Sequence, residues 1–174
     1  MVILYRDVRT YGFREQYYTE EFNGTIAPGD HVVTTMVEHN SVIRPVNHRV
    51  REGAEATFVT PDGEGYVDPE DIRKAIRKNT KLVIVNHGSN VIGTVQPVAE
   101  IGRICREREI RFVVDSAQTA GVIPIDVQAM HIDALAFTGH KSLLAPTGIG
   151  GLYVAEGVEV KHTRAGGTGV RSAF

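Results

Sequence analysis

Two short runs in the middle of the chain, Lys81 to Val85 and Arg111 to Val114, are continuously apolar after their first residue instead of alternating with polar ones. A strand with that pattern has to bury both faces, and sheets buried on both faces are mostly parallel sheets sandwiched between helices. Further runs of β-branched and apolar residues at His31 to Met36, Ala54 to Val59, Ala134 to Phe137 and Gly151 to Val154 read as strands. Helical signals fall between several of them. Asp68-Pro69-Glu70-Asp71 combines an N-cap, a proline at the first helical position and an acidic first turn, and predicts a helix to about Asn79. After Pro97, Val98, Ile101, Ile104 and Cys105 share one face of a second helix, which makes Cys105 a core thiol. A third helix is expected over about Ser41 to Arg51, with Pro45 near its first turn, where a missing N–H does little harm. Strand and helix alternate, and the prediction is an α/β protein: a mostly parallel sheet with helices on both faces.

With 174 residues the chain can bury a core without disulfide or metal staples. Lys+Arg 19 against Asp+Glu 21 leaves a net charge of -2, the wrong balance for a nucleic-acid binder. The lone cysteine forms no internal disulfide, and the apolar start is interrupted at Arg6 and Asp7, too soon for a signal peptide. No stretch approaches the roughly 18 apolar residues of a membrane span, so no membrane partner is expected and a cytoplasmic location is the default. The seven histidines lack the close pairing of a metal site, so no metal ligands are assigned. Gly166-Gly167-Thr168-Gly169 lacks the lysine and spacing of a phosphate-binding P-loop.

In open parallel sheets, ligands bind beyond the carboxyl ends of the strands. Those positions are unusually polar here: Glu38-His39-Asn40, Asn86-His87-Gly88-Ser89-Asn90, Asp115-Ser116-Ala117-Gln118 and Thr138-Gly139-His140-Lys141. Singly, each has a plainer reading. Asp115 could cap the next segment, His39 and His87 could be hydrogen-bonded core or surface histidines, and Lys141 could be a solvated lysine. Together they bring an acid, amides, imidazoles and an amine to one rim. That set suits pyridoxal 5'-phosphate, which needs a lysine amine for its Schiff base and an acid to keep its pyridine nitrogen protonated. Lys141 and Asp115 are the matching types, with His39 for the ring face, Gln118 for the phenolic oxygen, and Thr138 and His140 for the phosphate.

The segments Glu38-His39-Asn40-Ser41, Ser89 to Thr94, Val114 to Gln118 and Phe137 to Lys141, followed by Pro146-Thr147-Gly148-Ile149-Gly150, resemble the cysteine desulfurase family in order and spacing. This is the class V aminotransferase group of fold-type-I pyridoxal-phosphate enzymes. The resemblance runs from about Gly24 to Ser172. It implies Lys141 as the Schiff-base lysine, Asp115 on the pyridine nitrogen, His39 stacked on the ring and Gln118 near the phenolic oxygen. It also implies Asn90 near the cofactor or substrate carboxylate, and Thr138 and His140 on the phosphate. The implied reaction removes sulfur from L-cysteine, giving alanine and an enzyme persulfide for sulfur transfer or Fe–S cluster assembly. A homodimer and a sulfur-acceptor protein are the implied partners, and Gly166 to Gly169 would reach a neighbour's phosphate.

Family members are longer, with a C-terminal domain that carries the sulfur-accepting cysteine and a carboxylate-binding arginine. The chain is therefore expected to be the large-domain portion, residues 24–174, preceded by an atypical segment, 1–23, whose Thr10-Tyr11-Gly12 does not match the family's phosphate-binding turn. Without those parts, the chain alone is expected to be inactive on cysteine. A selenocysteine lyase or another class V enzyme shares the same cofactor residues. A non-catalytic α/β fragment or binding module is the alternative of a different class.

Overall fold

The structure is a computed structural model that describes residues 26–158 and, ahead of them, the backbone of residues 2–6. Seven strands form one sheet: β1 (Val2–Arg6), β2 (His31–Thr35), β3 (Glu55–Val59), β4 (Thr80–Asn86), β5 (Arg111–Asp115), β6 (Ala134–Thr138) and β7 (Ile149–Val154). Among the described residues three helices are interleaved: α1 (Asn40–Arg51), α2 (Pro69–Ala75) and α3 (Val98–Glu107). The spatial order is β1-β7-β6-β5-β4-β2-β3. β3, β2, β4, β5 and β6 are parallel neighbours, whereas β7 runs antiparallel between β6 and β1. Each of the six strands expected from sequence is present within a residue or two of its expected ends. β1 was not among them: its apolar start was read only as too short for a signal peptide, and it pairs antiparallel with β7 at the edge of the sheet.

The continuous apolar runs do cover both faces. Leu82 and Ile84 join Val113, Ala134 and Ala136 on the side where Val42 and Val46 of α1 pack. Val83 and Val85 join Phe112, Val114 and Leu135 on the other side, under Ile72 of α2 and Val98, Ile101 and Cys105 of α3. Successive side chains of a strand point to opposite faces, so this division follows directly from the sequence order.

Two helix expectations need correction. α2 stops at Ala75 rather than near Asn79, because Ile76 turns extended and the Arg77 N–H donates to Thr80 Oγ1 at 2.7 Å, steering the chain straight into β4. Pro45 lies in the second turn of α1, not its first, since the helix already begins at Asn40. It therefore removes an interior N–H that would otherwise serve Ser41 C=O.

α3 touches the segment before β6 at Gly102, where an added Cβ would sit 1.9 Å from the Met130 carbonyl oxygen. The obstructing atom is backbone, so the helix itself has to move. Gly102→Ala is expected to lower stability by about 1–3 kcal/mol, the usual range for overpacking, read as a lower urea midpoint at unchanged slope.

Candidate active site at the carboxyl edge of the sheet

Four adjacent parallel strands, β2, β4, β5 and β6, end on the same edge, and the polar segments singled out from sequence all follow them. Adjacent strands lie ~4.8 Å apart, so the four ends span roughly 14 Å. Asp115 closes β5 and is buried, while Lys141 occupies the turn after the neighbouring strand β6.

Hydrogen bonds tie each strand end to the next. From β2, Glu38 Oε1 accepts the Asn86 N–H of β4 at 3.0 Å and the Thr35 hydroxyl at 2.7 Å. Asn86 Nδ2 returns a bond to Val37 C=O. From β4, the His87 N–H donates to Asp115 C=O at 2.8 Å, and His87 Nδ1 lies 2.9 Å from Thr119 Oγ1 in the loop after β5. From β6, the Ser142 hydroxyl donates to Gln118 C=O. Gly88 and Gly121 allow these loops to close. A Cβ on Gly88 would come within 2.7 Å of Thr119 Cγ2, and one on Gly121 within 2.7 Å of Leu143 Cδ2, where φ is also +85°.

Asp115 Oδ1 accepts the Ala117 N–H at 2.9 Å, so the capping role considered for it is real and also holds its carboxylate in place. His39 caps α1: its Nδ1 accepts the Ser41 N–H at 3.1 Å. A ring nitrogen that accepts cannot carry the proton, which places it on Nε2 of a neutral imidazole. Thr138 is buried, with Oγ1 2.8 Å from His140 Nδ1. Asn90 is exposed on a turn in which Ser89 Oγ accepts the Val91 and Ile92 N–H groups. Gln118 is half-buried on the β5 loop. All seven candidates, His39, Asn90, Asp115, Gln118, Thr138, His140 and Lys141, thus lie at or after the ends of strands that finish on one edge, Asp115 and Thr138 being the last residues of β5 and β6. Thr10-Tyr11-Gly12, the boundary at 23/24 and Gly166 to Gly169 lie outside the described residues.

Glu38 and Asn86, also at this edge, had no role assigned from sequence. Burial pushes the Glu38 carboxyl up to about 8, against the lowering effect of its two donors, and nearby Asp115 raises it further. Its Oε2 and the Asn86 Oδ1 are buried without hydrogen-bond partners. The available signal was an acid and an amide directly at the ends of apolar strands. Burial also lowers the His87 pKa. Cys105 is buried as expected, its thiol pushed up to about 12 chiefly by desolvation. A cavity of about 610 Å³ lined by Arg106, Arg111, His131 and Asp133 lies at the opposite, amino-terminal edge, away from these groups.

A mostly parallel α/β sheet with a convergent polar carboxyl edge defines a class of fold, and the sequence places the chain within it. Residues 18–173 match the aminotransferase class-V family, and the chain belongs to that family. It is 39% identical over 140 residues to a cysteine desulfurase IscS of Dictyoglomus turgidum, covering 80% of this chain and 35% of that protein. The chain thus spans about a third of that relative's length. Among solved structures, SspA in complex with cysteine superimposes with a TM-score of 0.84 at 30% identity, over 95% of this chain and 48% of that one. A C-DES mutant with glycine covalently linked to its PLP cofactor superimposes at 0.77 and 28% identity, over 89% of this chain and 41% of that one.

Proposed function

We propose that the chain is the cofactor-binding part of a cysteine desulfurase-like enzyme that takes sulfur from L-cysteine, leaving alanine and a persulfide on the enzyme. The observation that carries this reading is the placement of a buried carboxylate, Asp115, at the end of β5 and of an amine, Lys141, in the turn after the adjacent parallel strand β6. The cysteine held by SspA supports the substrate.

The donor set fits pyridoxal 5'-phosphate. Lys141 would offer the amine for covalent attachment, and the Asp115 carboxylate would pair with the pyridine nitrogen. His39, fixed as a helix cap, would offer a flat face to the ring, and Gln118 would serve the phenolic oxygen. The Thr138 hydroxyl and His140 serve the phosphate, and Asn90 serves the carboxylate region. When bound, the cofactor supplies an electron sink for chemistry at the substrate α-carbon. The Lys141 amine then acts as the local proton carrier, and the buried strand ends keep water from competing for the charged groups. Cys105, buried on α3 with a raised pKa, is a poor nucleophile. The sulfur-accepting thiolate is assigned to another part of the whole protein.

Val91, Ile92, Val122 and Leu144 stand exposed on the loops of the same edge. An apolar surface there supports a homodimer that covers it, with a sulfur-acceptor protein as the further partner. The test of the function is an absorbance spectrum of the chain with pyridoxal 5'-phosphate, followed by borohydride reduction and peptide mapping. A band above that of free cofactor and a label on Lys141 support the proposal. No band, or a label elsewhere, overturns it.

A further inference from the structure

We propose that Glu38 is a positioning residue for the site, a buried acid that locks the end of β2 to β4 and through β4 holds Asp115 in its orientation. The inference rests on the reading of Asp115 as a cofactor partner. Glu38 directly precedes the helix-capping His39, and its Oε1 gathers two donors from two strands, the Thr35 hydroxyl at 2.7 Å and the Asn86 N–H at 3.0 Å. Asn86 is in register with Asp115 across the β4–β5 ladder, and the next residue, His87, donates its N–H to Asp115 C=O. A single carboxyl group therefore couples the segment bearing His39 to the segment bearing Asp115. Removing it would leave the Asn86 N–H and the Thr35 hydroxyl buried without their acceptor.

The charged group that bears on Glu38 is Asp115 of β5, while β2 and β4 present it with hydroxyl and amide donors. Its carboxyl is pushed from 4.5 to about 8, mainly by burial. The folded chain therefore carries a proton there that the unfolded chain gives up. The sign follows: the stability Glu38 allows is complete below about 4.5 and is lost as pH rises to about 8, where the loss levels off. Glutamine needs no proton and keeps an oxygen for both donors.

The experiment compares the wild-type 174-residue chain with Glu38→Gln and Glu38→Ala. In denaturant titrations, the folded-to-unfolded ratio of Glu38→Gln relative to wild type is expected to rise about tenfold per pH unit between pH 5 and 8. His31 and His87 titrate alike in both proteins and cancel in that comparison. In amide spectra of the cofactor-free chain, Glu38→Ala should displace the Ala117 and His87 signals, which report the carboxylate and carbonyl of Asp115, and Glu38→Gln should restore them. Cofactor affinity should fall at least about tenfold in Glu38→Ala, the loss of one buried charge-positioning bond, and stay near wild type in Glu38→Gln. Parallel pH profiles for Glu38→Gln and wild type, or unmoved Ala117 and His87 signals in Glu38→Ala, overturn the proposal. Failure of the wild-type chain to take up cofactor overturns the function proposed above instead, and the two cofactor-free readouts still decide on Glu38.

Discussion

Lys141→Ala is expected to abolish borohydride-reducible attachment of pyridoxal 5'-phosphate altogether while leaving the chain folded. The chain has five lysines, and four of them, Lys74, Lys78, Lys81 and Lys141, lie among the described residues. Lys74 is on the exposed side of α2, paired with Asp71 at 2.8 Å, and Lys78 and Lys81 lie just before and just inside β4, at the edge opposite the polar strand ends. Only Lys141 of these four follows a strand on the carboxyl edge. It sits in a turn fixed from both sides, by the Gly139 N–H donating to Ile149 C=O at 2.7 Å and the Leu144 N–H donating to Lys141 C=O at 2.9 Å. Those bonds are backbone bonds and survive truncation of the side chain, so the turn keeps its shape, and a denaturant midpoint measured alongside checks that the chain stays folded. Mass spectrometry of the reduced, digested protein is the measurement. A label that persists in Lys141→Ala on any other lysine refutes the assignment.

Asp115→Asn should weaken cofactor affinity about 10- to 100-fold, because a hydrogen bond to a charged group contributes about 1.5–3 kcal/mol and the neutral amide cannot match it. The fold should survive. Asn keeps an oxygen to accept the Ala117 N–H, and the His87 N–H bonds to the backbone carbonyl of residue 115, which is untouched. Equilibrium titration of cofactor, with the denaturant midpoint measured alongside, separates the two effects. Unchanged affinity at unchanged stability removes Asp115 from the cofactor's surroundings.

The elements that were legible in sequence are those whose pattern is local. Asp68-Pro69 announced the start of α2 because a capping side chain and a fixed φ act within one turn, and Asp68 Oδ1 does accept the Glu70 N–H at 2.8 Å. The end of that helix was not legible, because it is set by Thr80, whose hydroxyl accepts the Arg77 N–H and also lies 2.7 Å from His31 of β2. β1 escaped for a related reason: Val2–Arg6 is a short apolar run with no turn or helix signal of its own beside it, and its partner β7 lies more than 140 residues along the chain.

Continuous apolar runs by themselves determined a sheet buried on both faces, since a strand's side-chain period is fixed by covalent geometry, and the polar residues at their ends marked the edge of the candidate site. Lys141, Asp115 and His39 stood out by their types and their places at or just after strand ends, and the fold puts all three on one edge of the sheet. Only the tertiary structure decided the strand order that sets β6 beside β5, and the role of Glu38, whose donors come from residues 35 and 86. An acid next to a histidine in sequence looks the same whether it faces water or is buried between strand ends. Its desolvation, and hence its raised pKa, exists only once β2, β4 and β5 have come together around it.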